Sequence, residues 1–259
     1  MDPNLQLYDE KIRPIERIDF AILGNREISL ISAFGKDSAG IEIADLYDNM
    51  EPKRGGLIDT RLGITNNNLS CGTCGFDSTN CIGHFGHLDL AEPVFHMGYI
   101  TYVKKILSCI CLKCSKLLVY KNEDELMNLL KGKSGKARFA DIKNISKNVT
   151  HCVKPGYGCG TPVTKIKIEQ KKTSISVNII SELQVSTTEG EGGEGGVATE
   201  GKPLKKVIRQ ILTPEICYDI LKNISDSDCM IMGIDPRRSR PEYMIQDISS
   251  ITCGNQAIS

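Results

Sequence analysis

Four residues able to hold a metal ion fall within fourteen positions of this chain, as Cys71-x2-Cys74-x6-Cys81-x2-His84. Each half is a pair of donors separated by two residues. That spacing lets a tight turn aim both side chains at one ion, and two such knuckles complete a tetrahedron. Three thiolates and one imidazole saturate Zn²⁺ and leave no open position for a catalytic water, so the pattern predicts a structural site. Gly72, Gly75 and Gly83 supply the small residues that such turns need. His87 competes for the fourth place, but the spacing of His84 mirrors the first pair.

A second set is Cys111-x2-Cys114 followed by Cys152-x6-Cys159, with Pro155, Gly156, Gly158 and Gly160 around its looser half. Cys109 and His151 are rivals for a place in it. If residues 100–110 are helical, Cys109 points away from the knuckle. Cys217, Cys229 and Cys253 have no partner spacing, and Cys217 on a helix face reads as a small buried hydrophobe. Eleven cysteines form an odd count, and no secretory signal is visible, so the pattern argues for metal against a disulfide framework. Trp is absent and aromatics make up only 5% of the chain. Zinc can offset so thin an aromatic core, since its binding to such modules carries on the order of 10 kcal/mol of folding free energy.

The wider composition narrows the classes. The 259 residues carry 32 Lys+Arg against 32 Asp+Glu. That zero is an average. Residues 101–172 hold 16 basic and 5 acidic side chains, a net of +11, whereas residues 1–70 hold 8 and 12. A basic block of that size can meet a polyanion. No apolar run approaches the ~20 residues that span a bilayer. No apolar stretch of the signal-peptide kind opens the chain, so a secreted or membrane protein is not expected. Catalytic patterns are missing: there is no Walker A loop, no dinucleotide fingerprint, no Gly-x-Ser-x-Gly and no zincin helix. Taken alone, the chain is not expected to be an enzyme.

The elements that must position these residues are short. Ile18 to Leu23 reads as a strand, Gly24–Asn25 as a turn and Arg26 to Ala33 as a helix. Residues 36–70 read as an irregular lead-in. Pro93 breaks any helix over 88–100. Ile100, Val103, Ile106, Leu107 and Ile110 fit one helical face. Glu123 to Leu130 and Ala137 to Ile145 read as further helices, and Lys165 to Ile168 and Ser174 to Ile180 as strands. Residues 186–203 are Gly- and Glu-rich and read as a flexible loop. Thr213-Pro214-Glu215 opens a helix carrying Ile216, Ile220, Leu221 and Ile224. Gly233 marks a turn, and Ser249 to Ser259 shows no pattern.

The run Asp59-Thr-Arg61-Leu62-Gly63, then Asn68-Leu69, the first Cys/His set, and Gly83-His84-Phe85-Gly86-His87-Leu88-Asp89-Leu90-Ala91 through Pro93-Val94-Phe95-His96 to Gly98-Tyr99-Ile100 closely resembles the start of the largest subunit of multisubunit DNA-dependent RNA polymerases. It is similar to eukaryotic polymerase II and to the archaeal and viral enzymes. Cys109-x-Cys111-x2-Cys114 with Leu117-Leu118, the pair Arg138-Phe139, and Cys159-Gly160 with Pro162 resemble the family's second zinc region. Ser239-Arg240-Pro241-Glu242-Tyr243-Met244-Ile245 resembles an Arg-Pro-Glu-Trp-Met-Ile element, with Tyr243 for Trp. The resemblance covers roughly residues 14–246.

It implies an irregular α+β fold of two zinc-stabilised modules, a clamp core and a clamp head, with short helices and small sheets. Residues 1–100 would be the clamp-core lead-in with the first zinc, 101–185 the clamp head with the second, and 186–203 a Gly/Glu-rich loop. Residues 204–246 would be the return helix and clamp segment, and 247–259 a divergent tail. Two structural Zn²⁺ are implied, one on Cys71, Cys74, Cys81 and His84, the other on Cys111, Cys114, Cys152 and Cys159. The family's Asn-Ala-Asp-Phe-Asp-Gly-Asp motif, which holds Mg²⁺, is not in the chain. The clamp portion alone is therefore expected to be inactive within a nucleotidyltransferase. Implied partners are template DNA, the RNA–DNA hybrid, the second-largest subunit and other polymerase subunits. Lys133, Lys136, Arg138, Lys143 and Lys147 are candidates for nucleic-acid contact. The implied location is intracellular, the nucleus or, for a large DNA virus, the host cytoplasm or virion. The alternative is a stand-alone zinc-ribbon module that docks on polymerase or another protein.

Overall fold

A computed structural model of the chain describes residues 16–18, 20–35, 38, 40–64, 66–119, 126, 128, 130–133, 135–152, 158–170, 177–187 and 204–252. Among these lie the helices α1 (Asn25–Ile31), α2 (Ile100–Leu107), α3 (Gly135–Ser146), α4 (Pro214–Lys222) and α5 (Asp226–Met232). The strands are β1 (Tyr47–Asp48), β2 (Glu51–Pro52), β3 (Phe85–Phe95), β4 (Lys165–Gln170), β5 (Val177–Thr187), β6 (Leu204–Leu212) and β7 (Ile245–Thr252). Two 3-10 turns, Thr60–Leu62 and Pro241–Met244, complete the described elements. The architecture is the expected irregular α+β, built from short helices and small sheets.

Among the described residues three antiparallel sheets are present, β1–β2, β3–β7 and β4–β5–β6. β3 and β7 run from the pair Phe85–Thr252 to the pair Phe95–Ile245. Pro93 is accommodated inside β3 because the register shifts between Asp89 and Val94, where a proline costs no ladder bond. Residues 249–252, which show no pattern in sequence, are thus part of a strand.

The predicted strand over Ile18 to Leu23 does not form. The described residues there make no ladder, and Ile22 N–H donates to the Arg238 carbonyl at 3.0 Å instead. α2 ends at Leu107, three residues before its predicted limit, and the chain then turns into a knuckle. Of the helix predicted over 123–130, only Leu126, Asn128 and Leu130 are described, and they are helical. The loop 186–203 lies outside the described residues apart from its first two, which end β5.

One core joins both halves of the chain. Val103, Ile106 and Leu107 of α2 and Ile142 of α3 pack with Ile166 and Ile179 of the three-stranded sheet. Cys217, Leu221, Cys229 and Met232 of α4 and α5 close it from the C-terminal side, with Met244 and Ile245. α4 starts as predicted, with the Thr213 hydroxyl accepting from Ile216 N–H and Pro214 at the first turn. α5 is a separate helix, capped by Ser225, which accepts from Asp228 N–H, and ended by Gly233 in the left-handed region. Arg240 ties the two together. It donates to Glu242 at 2.5 Å, to the Lys222 and Ile224 carbonyls at 3.3 and 3.2 Å, and to Asp226. Phe34, Ile41 and Leu62 form a smaller core, linked to the first Cys/His set where His84 N–H donates to the Leu62 carbonyl.

Candidate metal centres

The first set is assembled on a scaffold of backbone hydrogen bonds. Cys71 N–H donates to the Phe76 carbonyl at 2.9 Å, and Gly75 N–H returns to the Cys71 carbonyl at 2.8 Å. That closure requires a left-handed residue at position 75, and Gly75 has φ +74°. The 3-10 turn Thr60–Leu62 holds both halves. Gly72 N–H donates to the Thr60 carbonyl, the Thr73 hydroxyl to the Arg61 carbonyl, and His84 N–H to the Leu62 carbonyl. The turn is itself fixed by Asp59, which is 1% exposed. Its carboxylate accepts from Gly55 N–H, Arg61 N–H and the Arg61 guanidinium. Burial opposes its ionisation, but the Arg61 guanidinium and the two N–H groups outweigh it and hold the carboxyl below its usual range.

Three hairpins share one closure. In the second set Cys111 N–H donates to the Lys116 carbonyl and Ser115 N–H to the Cys111 carbonyl, both at 2.9 Å. Cys152 N–H donates to the Thr161 carbonyl and Gly160 N–H to the Cys152 carbonyl, both at 2.8 Å. Each half is flanked by a single antiparallel bridge, Ile110 with Leu117 and His151 with Pro162. The residue after the second cysteine is left-handed every time: Gly75, Ser115 (φ +57°) and Gly160 (φ +71°). Despite its longer spacing, the Cys152/Cys159 pair therefore carries the same closing bonds.

The donor atoms converge in both places. The sulfurs of Cys71, Cys74 and Cys81 and a ring nitrogen of His84 all lie within 4.8 Å of one another, as do the four sulfurs of Cys111, Cys114, Cys152 and Cys159. Cys81 Sγ is 3.7 Å from His84 Nε2, Cys111 Sγ is 3.5 Å from Cys159 Sγ, and Cys114 Sγ is 3.6 Å from Cys152 Sγ. Donors at the corners of a tetrahedron with bonds of about 2.3 Å sit about 3.8 Å apart. Both donor sets fit a zinc ion in number, type and separation.

The rivals are elsewhere. His87 is 2% exposed and both its ring nitrogens are engaged, Nδ1 with the Ser32 hydroxyl at 2.6 Å and Nε2 with the Ser38 carbonyl at 2.8 Å. His151 is exposed beside Thr150. Cys109 is buried in the main core with its thiol on the Lys105 carbonyl, and burial pushes it up to about 11. Burial alone pushes Cys217 to about 12, which fits its reading as a hydrophobe. Cys253 lies outside the described residues.

Within each set the thiols are unequal. The hydroxyl and N–H of Thr161 hold Cys159 at about 6, while burial drives Cys152 to about 12. Against its burial, the N–H groups of Cys74 and Thr73 bring Cys71 to about 6. Cys71 and Cys159 are thus biased toward the thiolate that a metal ion binds. Thr161, whose hydroxyl lies 2.8 Å from Cys159 Sγ and 3.6 Å from Cys111 Sγ, is a supporting residue that ligand spacing does not reveal.

The five basic candidates cluster on and around α3. Lys133 pairs with Asp141 at 2.5 Å, Arg138 donates to the Met230 carbonyl at 3.1 Å, and Lys147 donates to Asn144 at 3.2 Å. Lys136 and Lys143 line a cleft between α2 and α3.

The sequence matches the family described as RNA polymerase Rpb1, domain 1, over residues 12–252. It is 50% identical over 251 residues to DNA-directed RNA polymerase subunit 1 of Acanthamoeba polyphaga mimivirus, covering 95% of this chain and 16% of that protein. It is 32% identical over 234 residues to DNA-directed RNA polymerase II subunit RPB1 of Euplotoides octocarinatus, covering 89% and 45% respectively. The chain thus spans less than half the length of either relative. The match runs to Thr252, the last residue of β7, six positions beyond the reach of the sequence motifs.

Proposed function

This chain belongs to the RNA polymerase Rpb1, domain 1, family, and on that premise we propose that it forms the zinc-stabilised clamp of a DNA-directed RNA polymerase largest subunit. The observation that carries the reading is the family match across residues 12–252, which contains both four-donor sets. Cys71, Cys74, Cys81 and His84 would hold one Zn²⁺, and Cys111, Cys114, Cys152 and Cys159 the other. The ions would supply folding free energy and no chemistry, because four protein donors would fill each tetrahedral zinc.

The work of the clamp is mechanical and electrostatic. It closes over template DNA and the RNA–DNA hybrid, and its basic 101–172 segment offers ammonium and guanidinium groups to phosphates, with Lys133, Lys136, Arg138, Lys143 and Lys147 at its centre. Nucleotidyl transfer takes place on the Asp-rich motif that the 259 residues lack, so this chain alone transfers no nucleotide. The second-largest subunit is its principal protein partner. Among the described residues no helix is long and apolar enough to cross a membrane. We place the protein inside the cell, in the nucleus or, for a viral source, in the host cytoplasm or virion.

A salt titration of DNA binding tests the reading. Phosphate contacts release counterions, so affinity falls steeply between 50 and 200 mM salt, by roughly tenfold or more for a few contacts. A flat response overturns the phosphate surface. Failure to co-purify with the second-largest subunit from the same source overturns the clamp assignment.

A further inference from the structure

We propose that the cleft between α2 and α3 is a stacking site for an unpaired nucleic-acid base. The inference rests on the nucleic-acid reading above and narrows it from a phosphate surface to a single-strand site. The cleft has a volume of about 520 Å³, within the range of small-ligand sites. Its two walls are built alike. α2 contributes Tyr102, Lys105 and Ile106, at i, i+3 and i+4. α3 contributes Lys136, Phe139, Ala140 and Lys143, at i, i+3, i+4 and i+7. Each set lies on one helical face, so α2 sets Tyr102 beside Lys105, and α3 sets Phe139, partly buried against the main core, between Lys136 and Lys143. Met232 and Met244, buried in the main core, are apolar lining residues.

Charge and exposure select the ligand. Tyr102 is 48% exposed, and the Lys105 ammonium lies 4.7 Å from its ring centroid. The three lysines face one acidic lining residue, Asp235, whose carboxylate already accepts from Arg237 N–H at 3.0 Å and pairs with Arg238 at 3.5 Å. A purely apolar guest would leave the ammonium groups unanswered, and a simple anion would leave the rings uncovered. A nucleotide of a single strand answers both, its flat base against the rings and its phosphates on the lysines. Lys136 and Lys143 stand two helical turns apart, about 10.5 Å along the axis, and bracket Phe139 and Ala140. A duplex keeps its base faces stacked internally and can offer this cleft phosphates alone.

The test uses the full chain loaded with zinc and three labelled probes followed by fluorescence anisotropy: a 12-mer of thymidylate, an abasic 12-mer with the same phosphates, and a 12-base-pair duplex. Thymidylate should bind roughly tenfold tighter than the abasic strand. Tyr102→Ala should bring the two to near parity, and Tyr102→Phe should keep the difference. Lys136→Gln with Lys143→Gln should weaken all three probes together. Equal binding of the thymidylate and abasic strands, or a ratio unmoved by Tyr102→Ala, overturns the stacking site and leaves the phosphate surface standing. No binding of any probe at low salt overturns both.

Discussion

Asp59 grips Arg61 through two contacts, Arg61 Nε to Oδ1 at 3.0 Å and Nη2 to Oδ2 at 2.7 Å, and the same Arg61 lends its carbonyl to Thr73 of the first knuckle. An ion pair between a buried carboxylate and a partly exposed guanidinium thus sets the turn on which a metal-donor set is built. Removing one partner strands the other, so Asp59→Ala should lower stability. The guanidinium is partly exposed, at 23% for its side chain, so the loss is about 2 kcal/mol, below the full cost for a buried pair. Chemical unfolding of the zinc-loaded chain measures it, and Arg61→Lys, which keeps the charge without the fork, should recover only part of the loss.

The same pair sets a pH dependence. Asp59 ionises more easily in the folded chain than in the unfolded one. Its contribution is therefore fully present above the unfolded value of about 3.9 and is lost as pH falls through the lowered folded value. The stability gap between the natural chain and Asp59→Asn should be constant near neutrality and close progressively below about pH 4. A gap that widens on acidification would contradict the assignment.

Chelation should act on structure. Elemental analysis should find two zinc ions per chain, and stripping them should collapse both knuckle regions, seen as loss of amide dispersion by NMR. Cys159→Ser and Cys74→Ser should each remove one ion and leave the other.

The three left-handed positions give a backbone test without new contacts. A Cβ at Gly75 or Gly160 meets nothing within 4 Å, so alanine there pays for conformation alone. Each substitution should cost about 1 kcal/mol. Ser115 already bears that strain at φ +57°, so Ser115→Gly should be neutral or stabilising. Thermal midpoints of the zinc-loaded variants read all three.

Gly135 and Gly233 permit a second close approach. A Cβ at Gly135 would stand 2.7 Å from the Gly233 carbonyl oxygen, and one at Gly233 would stand 2.6 Å from that of Gly135. Alanine at either position should cost about 2 kcal/mol by forcing α3 from α5, measurable as a lowered urea midpoint.

What could be read from sequence was what is local in sequence. The eight donors lie in short-spaced pairs, and α2 and α4 carry their apolar faces within two or three turns. β7 was invisible because its strand logic resides in β3, more than 150 positions earlier, and its own Ser249-Ser250 supplies no alternation. The residues around Ile18 to Leu23 failed in the opposite way, with strand-forming composition and no ladder to join. α5 was hidden by the apolar run of α4, although Ser225 ahead of Asp228 carried a capping signal. Ser115 disguised a turn that glycine announces at the two equivalent positions.

The pairing of Phe95 with Ile245 places the entry and exit of everything between them side by side, and His96 N–H donating to the Met244 carbonyl at 3.2 Å closes that doorway. Topologically, residues 96–244 are an insertion hung on a two-stranded stem. That unit is braced outside its root as well, because Ile22 N–H donates to the Arg238 carbonyl and α4 packs against β3.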